Sequence, residues 1–145
     1  REGTLYFQAI REEGYGKADI YRSHLIDGVY QAPENLGPVI NSEHYEGDVF
    51  IAPDESYLIV SVSGREDSLG GADLYISFRG PNAAWSRLEN MGDSVNSEQR
   101  DFCPMVTPDG KYLFFSSNRQ GSGDIFWVDA EVLELLRPRL EAGRD

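Results

Sequence analysis

The stretch Asp101-Phe-Cys-Pro-Met-Val-Thr-Pro-Asp-Gly-Lys-Tyr-Leu-Phe-Phe-Ser-Ser-Asn-Arg119 decides the fold, because it reads as strand, tight turn, strand. Pro108-Asp109-Gly110 is a turn signature. Proline presets φ, aspartate can bond its own backbone, and glycine takes a positive φ at little cost. Residues 111–117 then form a β run whose two period-2 faces are Tyr112, Phe114, Ser116 and Leu113, Phe115, Ser117. A one-sided antiparallel sheet alternates apolar with polar residues, whereas this strand is largely apolar on both faces. That pattern implies a sheet packed between other sheets.

The same unit occurs earlier. Pro53-Asp54-Glu55-Ser56-Tyr57-Leu58-Ile59-Val60-Ser61 precedes its counterpart at Pro108 by 108 − 53 = 55 positions. Asn35-Leu36-Gly37 and Asn90-Met91-Gly92 keep that spacing, as do Ile40-Asn41-Ser42-Glu43 and Val95-Asn96-Ser97-Glu98. Asp19-Ile20-Tyr21, Asp73-Leu74-Tyr75 and Asp124-Ile125-Phe126 form a third series. Gly3-Thr4-Leu5-Tyr6-Phe7 reads as a further copy of the run from Gly110, one residue shorter. Agreement over this many positions marks an internal repeat of 55 residues.

Working outward, strands are expected at residues 5–7, 19–23, 48–52, 57–62, 73–78, 102–107, 111–117 and 124–128. Weak strands are expected near residues 29–31 and 85–88. Asp27-Gly28 is a hairpin signal, and residues 33–43 read as a connection. Residues 129–137 are a helix candidate: Asp129 is the expected N-cap, and Val132, Leu135 and Leu136 share one face. Pro138 ends it. The helix stands where a fourth strand is due and is expected to cap an exposed sheet edge.

Length fits one domain, and no apolar run approaches the roughly 18 residues needed to cross a bilayer, so no membrane insertion is expected. The net charge of −12 disfavours nucleic acid, which calls for clustered Lys and Arg. A solvated acidic surface accounts for it. Cys103 is alone, which excludes a disulfide framework, and its place between Phe102 and Pro104 suggests a buried thiol. The chain opens on Arg1-Glu2-Gly3 inside a repeat, without a signal peptide, and so reads as trimmed or partial.

Four short antiparallel strands per repeat, apolar on both faces, describe a β-propeller blade. The pattern Pro-Asp-Gly-Lys-Tyr-Leu-Phe-Phe-Ser-Ser-Asn-Arg, a short loop, then Gly-Asp-Ile-Phe-Trp-Val-Asp resembles the TolB-like repeat, a relative of the WD repeats. The likeness spans about residues 3–129. It implies that the strand ending at Pro-Asp is innermost, the Tyr-Leu-Phe-Phe strand second, the Asp-Ile-Tyr strand third and the segment before Asn-x-Gly outermost. The expected architecture is all-β: a partial propeller of about three blades with a short C-terminal helix. Residues 1–43 make a first blade without its innermost strand, 44–98 a complete blade, 99–129 a third, and 130–145 the capping helix and tail.

Catalytic motifs are not found: there is no Gly-x-Ser-x-Gly elbow, no His-Glu-x-x-His and no phosphate-binding glycine loop. His24 and His44 do not share a repeat position, so no metal is expected, nor any other cofactor. Propellers usually bind at the channel mouth, where residues preceding the innermost strands point. These are His44, Glu46 and Asp48 in the second blade, with Arg100 and Asp101 in the third. Glu46 and Asp101 are equivalent, since 101 − 46 = 55, and two such acids can form part of a carboxylate ring for a cation or basic peptide. They can equally hold the backbone N–H groups of a turn. Arg65 and Arg119 also repeat, and a salt bridge to a neighbouring blade is expected of them.

The resemblance implies a non-catalytic binding module, periplasmic or extracellular, with a protein or peptide partner. The alternatives are an accessory propeller domain of a larger hydrolase and a glycan-binding or glycan-active propeller, for which Trp85 is the candidate aromatic. The first blade is expected to leave one side of its 5–7 strand unpaired and the third to expose apolar residues on the face away from the second, so the chain is expected to self-associate as a two-fold dimer, either two three-bladed halves giving a six-bladed ring or an irregular edge-to-edge pair.

Overall fold

Runs of β-branched and aromatic residues, broken by Asp, Gly and Pro turns, form twelve strands and one helix in the computed structural model, which describes residues 3–137. They are β1 (Leu5–Ala9), β2 (Asp19–Ser23), β3 (Leu25–Ile26), β4 (Val29–Tyr30), β5 (Glu34–Asn35), β6 (Tyr45–Ile51) and β7 (Tyr57–Ser63). Then follow β8 (Asp73–Phe78), β9 (Glu89–Asn90), β10 (Asp101–Val106), β11 (Tyr112–Ser117), β12 (Asp124–Asp129) and α1 (Glu131–Leu136). The fold is all-β, a partial propeller of antiparallel sheets in the orders β1-β2-β5, β6-β7-β8-β9 and β10-β11-β12, called here blades one, two and three. A small hairpin, β3-β4, turns at Asp27 and Gly28, both at positive φ (50° and 77°), as a type I′ turn requires.

The registers align the blades residue by residue. Ala9 pairs with Asp19, Val62 with Asp73 and Ser117 with Asp124. Leu5, Leu58 and Leu113 are therefore equivalent, as are Phe7, Val60 and Phe115. Two cores result. Ile20, Ile40, Leu58, Val60, Val62 and Tyr75 fill the space between blades one and two. Ile59, Leu74, Ile76, Phe78, Leu113 and Phe115 fill that between two and three. Alternate residues of β7 thus serve opposite neighbours, which is why both its faces are apolar.

Backbone contact welds the blades at one end. In the first junction Lys17 N–H donates to the His44 carbonyl (2.9 Å) and Glu46 N–H to the Ala18 carbonyl (3.0 Å). In the second, Gly71 N–H donates to the Gln99 carbonyl and Asp101 N–H to the Ala72 carbonyl, both at 2.8 Å. The loop backbone comes so close that a Cβ on Gly16 would lie 2.1 Å from the Ser42 carbonyl oxygen, and one on Gly70 would lie 2.0 Å from that of Gln99. Only glycine fits there.

Several expectations are corrected. Cys103 is exposed: β10 carries a bulge between Phe102 and Met105, and the extra residue turns out of the ladder at φ 51°. The fourth strand of blade two is at 89–90, while Trp85 makes only an isolated bridge to Arg79. A short strand, β5, lies inside the segment expected to be a plain connection. Asp129 ends β12 instead of capping the helix, whose N-cap is Ala130, although its carboxylate does accept the Glu131 N–H at 2.9 Å. The helix does not run along the β12 edge. Leu133 is buried in the core between blades two and three, and the Arg137 guanidinium lies 4.6 Å from the Phe78 ring centre. Apolar burial there outweighs edge pairing, which a helix cannot supply with its own backbone groups already used. Pro138 lies outside the described residues.

Two substitutions test this account. Gly70→Ala is expected to cost about 1–3 kcal/mol through overpacking against Gln99. Gly110→Val, at φ 71° in the β10–β11 turn, is expected to cost about 1 kcal/mol or more through a strained positive φ. Chemical denaturation reads both. An unchanged midpoint for Gly70→Ala would contradict the weld.

Candidate functional site

The five residues expected at the channel mouth divide into two groups. Glu46 and Asp101 are fully buried at the starts of β6 and β10. Glu46 accepts the Ser42 N–H (3.2 Å) and hydroxyl (2.5 Å). Asp101 accepts the Ser97 N–H (2.7 Å) and hydroxyl (2.8 Å), and pairs with the Arg119 guanidinium at 2.8 Å. Both carboxylates thus hold the connection leading into their strand, and their oxygens face backbone instead of open space. Burial, opposed by the Ser42 hydrogen bonds and reinforced by the Asp19 charge, pushes the Glu46 carboxyl above its ordinary range.

Asp48 and Arg100 are exposed and His44 is half-buried. Asp48 sits on the β6 bulge and accepts the N–H of Cys103, its own counterpart in the next blade, at 3.2 Å. Desolvation and then the Asp48 charge push the Cys103 thiol up, away from the reactive thiolate. The Arg100 guanidinium lies 5.7 Å from the Phe102 ring centre, and the His44 carbonyl is used in the junction with Lys17. Asp48, Arg100 and His44 therefore each engage a different neighbour. Among the described residues no group of three or more His, Cys, Asp or Glu side chains is placed to hold a metal ion.

The repeated arginines act inside their own blades. Arg65 pairs with Asp67 (2.8 Å) and lies 4.6 Å from the Tyr75 ring centre. Arg119 pairs with Asp101 and lies 4.8 Å from that of Phe126. Arg119 also donates to the Val95 carbonyl (2.5 Å), in the connection from blade two, so a tie between blades exists but through backbone. Arg11, over Tyr21 at 5.1 Å, is the third member of the series. Its spacing of 54 from Arg65 made it legible in the sequence.

Clefts lie at the end of the blades opposite the welds. One, of about 650 Å³, runs between the two Pro-Asp turns and the helix and carries Asp54, Lys111, Asp129 and Glu134. Another, of about 750 Å³, is bounded by Phe78, Arg79, Pro81, Trp85 and Arg137. The Arg79 guanidinium, paired with Glu55 at 2.5 Å, lies 5.3 Å from the Trp85 ring centre. It thus occupies a face of the one aromatic that suggested a sugar site.

Blade three departs from the burial pattern of blade two. Ile125 is 75% exposed and Trp127 is 59% exposed, whereas their counterparts Leu74 and Ile76 in blade two are 0% exposed. Met105 and Tyr112 on the same face are exposed as well, and Phe114 between them is half-buried. Cross-strand pairing of Phe114 with Trp127 and with Met105 makes this one continuous apolar surface. The Tyr112 and Trp127 rings, 5.1 Å apart and edge to face, hold it in shape. No protein-family model matches the chain, and no curated protein matches it significantly in sequence. Among the described residues no helix is long and apolar enough to cross a membrane.

The Glu46 environment has a measurable consequence. A carboxyl whose pKa is raised on folding lowers stability as pH climbs above its unfolded value, because the folded state must then carry the charge in a desolvated site. Glu46→Gln keeps an acceptor for Ser42 without that charge. It is expected to melt at or above the wild-type temperature at pH 7, and the difference is expected to shrink as pH falls into the carboxylate range. A variant less stable at pH 7 and relatively better at low pH would reverse the sign.

Proposed function

We propose that the chain is a non-catalytic protein-interaction module built from TolB-like propeller repeats, acting in the periplasm or outside the cell as that resemblance implies. The observation that carries the proposal is the exposed apolar face formed by Met105, Tyr112, Phe114, Ile125 and Trp127. Of its blade-two counterparts, Ile59, Leu74 and Ile76 are buried and Phe50 and Tyr57 partly buried in the core facing blade three, so the surface has the composition of a protein interface and the spacing of a sheet-packing one. A protein or peptide partner fits this chemistry. The channel-mouth residues support the proposal less, because Glu46 and Asp101 are committed to the fold.

Without a partner, the same face is expected to drive self-association. Light scattering at micromolar protein should give a mass above the 16.3 kDa of one chain. Replacing Ile125 and Trp127 together by Lys and Ser should return it to one chain. A wild-type monomer stable for days would show that water tolerates this face and would remove the support for the proposal.

A further inference from the structure

In blades one and two the third strand is clasped by the segment that follows it. Asn41 Oδ1 accepts the Ile20 N–H at 2.7 Å while its Nδ2 donates to the Ile20 carbonyl at 3.0 Å. Asn96 does the same to Leu74, at 2.8 and 3.0 Å. Each of these amides is braced by a second asparagine, Asn35 (2.7 Å) or Asn90 (2.9 Å), whose own Nδ2 reaches the strand's first aspartate, Asp19 (2.7 Å) or Asp73 (2.8 Å). The backbone adds Leu36 N–H to the Ile20 carbonyl and Met91 N–H to the Leu74 carbonyl, both at 3.1 Å. Ile40 and Val95 are buried as part of the same segments.

Blade three presents the receiving half of this arrangement. Asp124 stands where Asp19 and Asp73 stand, yet it is exposed and its carboxylate bonds only to the Ser122 hydroxyl (2.9 Å) among the described residues. Ile125 stands where Ile20 and Leu74 stand, and β12 is the outer strand of its sheet. The outward N–H and carbonyl of Ile125 match those that Asn41 and Asn96 clasp.

We infer that the β12 edge binds an extended polypeptide segment of the form Glu-Asn-x-Gly-x-x-(Ile/Val)-Asn-Ser, by strand addition. Its first asparagine bonds to Asp124, its second clasps Ile125, and its apolar residues cover Ile125 on the exposed face. The interface continues one already present twice in the molecule. The two copies at 34–42 and 89–97 are already built into blades one and two, so the β12 edge takes a further copy of this segment. This rests on the interaction-module proposal and names its partner's chemistry.

The test is titration of the full chain with a synthetic peptide of residues 88–98, read by calorimetry and by hydrogen exchange. The peptide is expected to bind one to one and to slow exchange at the Ile125 and Trp127 amides. A peptide with Asn90 and Asn96 both replaced by Ala, and the protein variant Asp124→Ala, which leaves an exposed position folded, should each weaken binding at least tenfold. No binding at millimolar peptide, or equal binding of the substituted peptide, would overturn the inference. If self-association persisted in that case, the interaction module would stand and only strand addition would fall. Amides of Ile125 and Trp127 already protected in the chain alone would show the edge filled without the peptide and would overturn the inference.

Discussion

The structure depends on an asparagine side chain that stands in for a strand. A primary amide carries a donor and an acceptor in the same geometry as a peptide group, so Asn41 and Asn96 can satisfy both outward groups of one residue at a sheet margin. Strands β5 and β9 are only two residues long, and each is extended by one such amide. Leaving those buried groups unpaired would cost about 1–3 kcal/mol each. The aspartate at the head of the third strand completes the unit. Asp19 accepts the Tyr15 and Gly16 N–H groups, and Asp73 those of Leu69 and Gly70. The same aspartates hold the loops whose glycines allow the next blade's backbone to approach. Chain direction, blade spacing and loop shape are thus tied to a few buried polar side chains, with the apolar residues filling the space they define.

Much of this was legible beforehand, and the reason is the repeat. A strand pattern seen once is ambiguous, but Asp54 and Asp109 recur with the same turn, and each accepts the N–H two residues on. Agreement between copies separated signal from accident. The readings that failed turn on a bulge, on two-residue strands and on a helix present once, which a residue pattern records poorly. Cys103 looked buried because its neighbours are apolar, and the bulge that exposes it follows from pairing with β11, which its own sequence does not record. The helix has no counterpart in the other blades, and its docking site is the end of the core between blades two and three, visible only in three dimensions.

The candidate site was harder to read for a related reason. Repetition marks Glu46 and Asp101 equally well whether they bind a ligand or a turn. Their partners, Ser42 and Ser97, repeat too, and the four-residue spacing between serine and acid is the signal that favours the turn. The exposed face of blade three could be anticipated because β11 shows the same two-sided pattern as β7, while the structure describes a neighbouring sheet on one side only.

The margin of β12 is flanked by Asp124 and Asp129, on a molecule with a net charge of −12. The segments suited to it are acidic as well, since residues 88–98 include Glu89, Asp93 and Glu98. Encounter therefore runs against a repulsive field that operates over the Debye length, about 10 Å at 0.1 M salt, before any hydrogen bond can form. Ionic strength then acts as a kinetic throttle: screening speeds capture, while the short-range amide contacts that govern release are little affected. If the edge captures such a segment, its occupancy would rise with salt as this repulsion is screened.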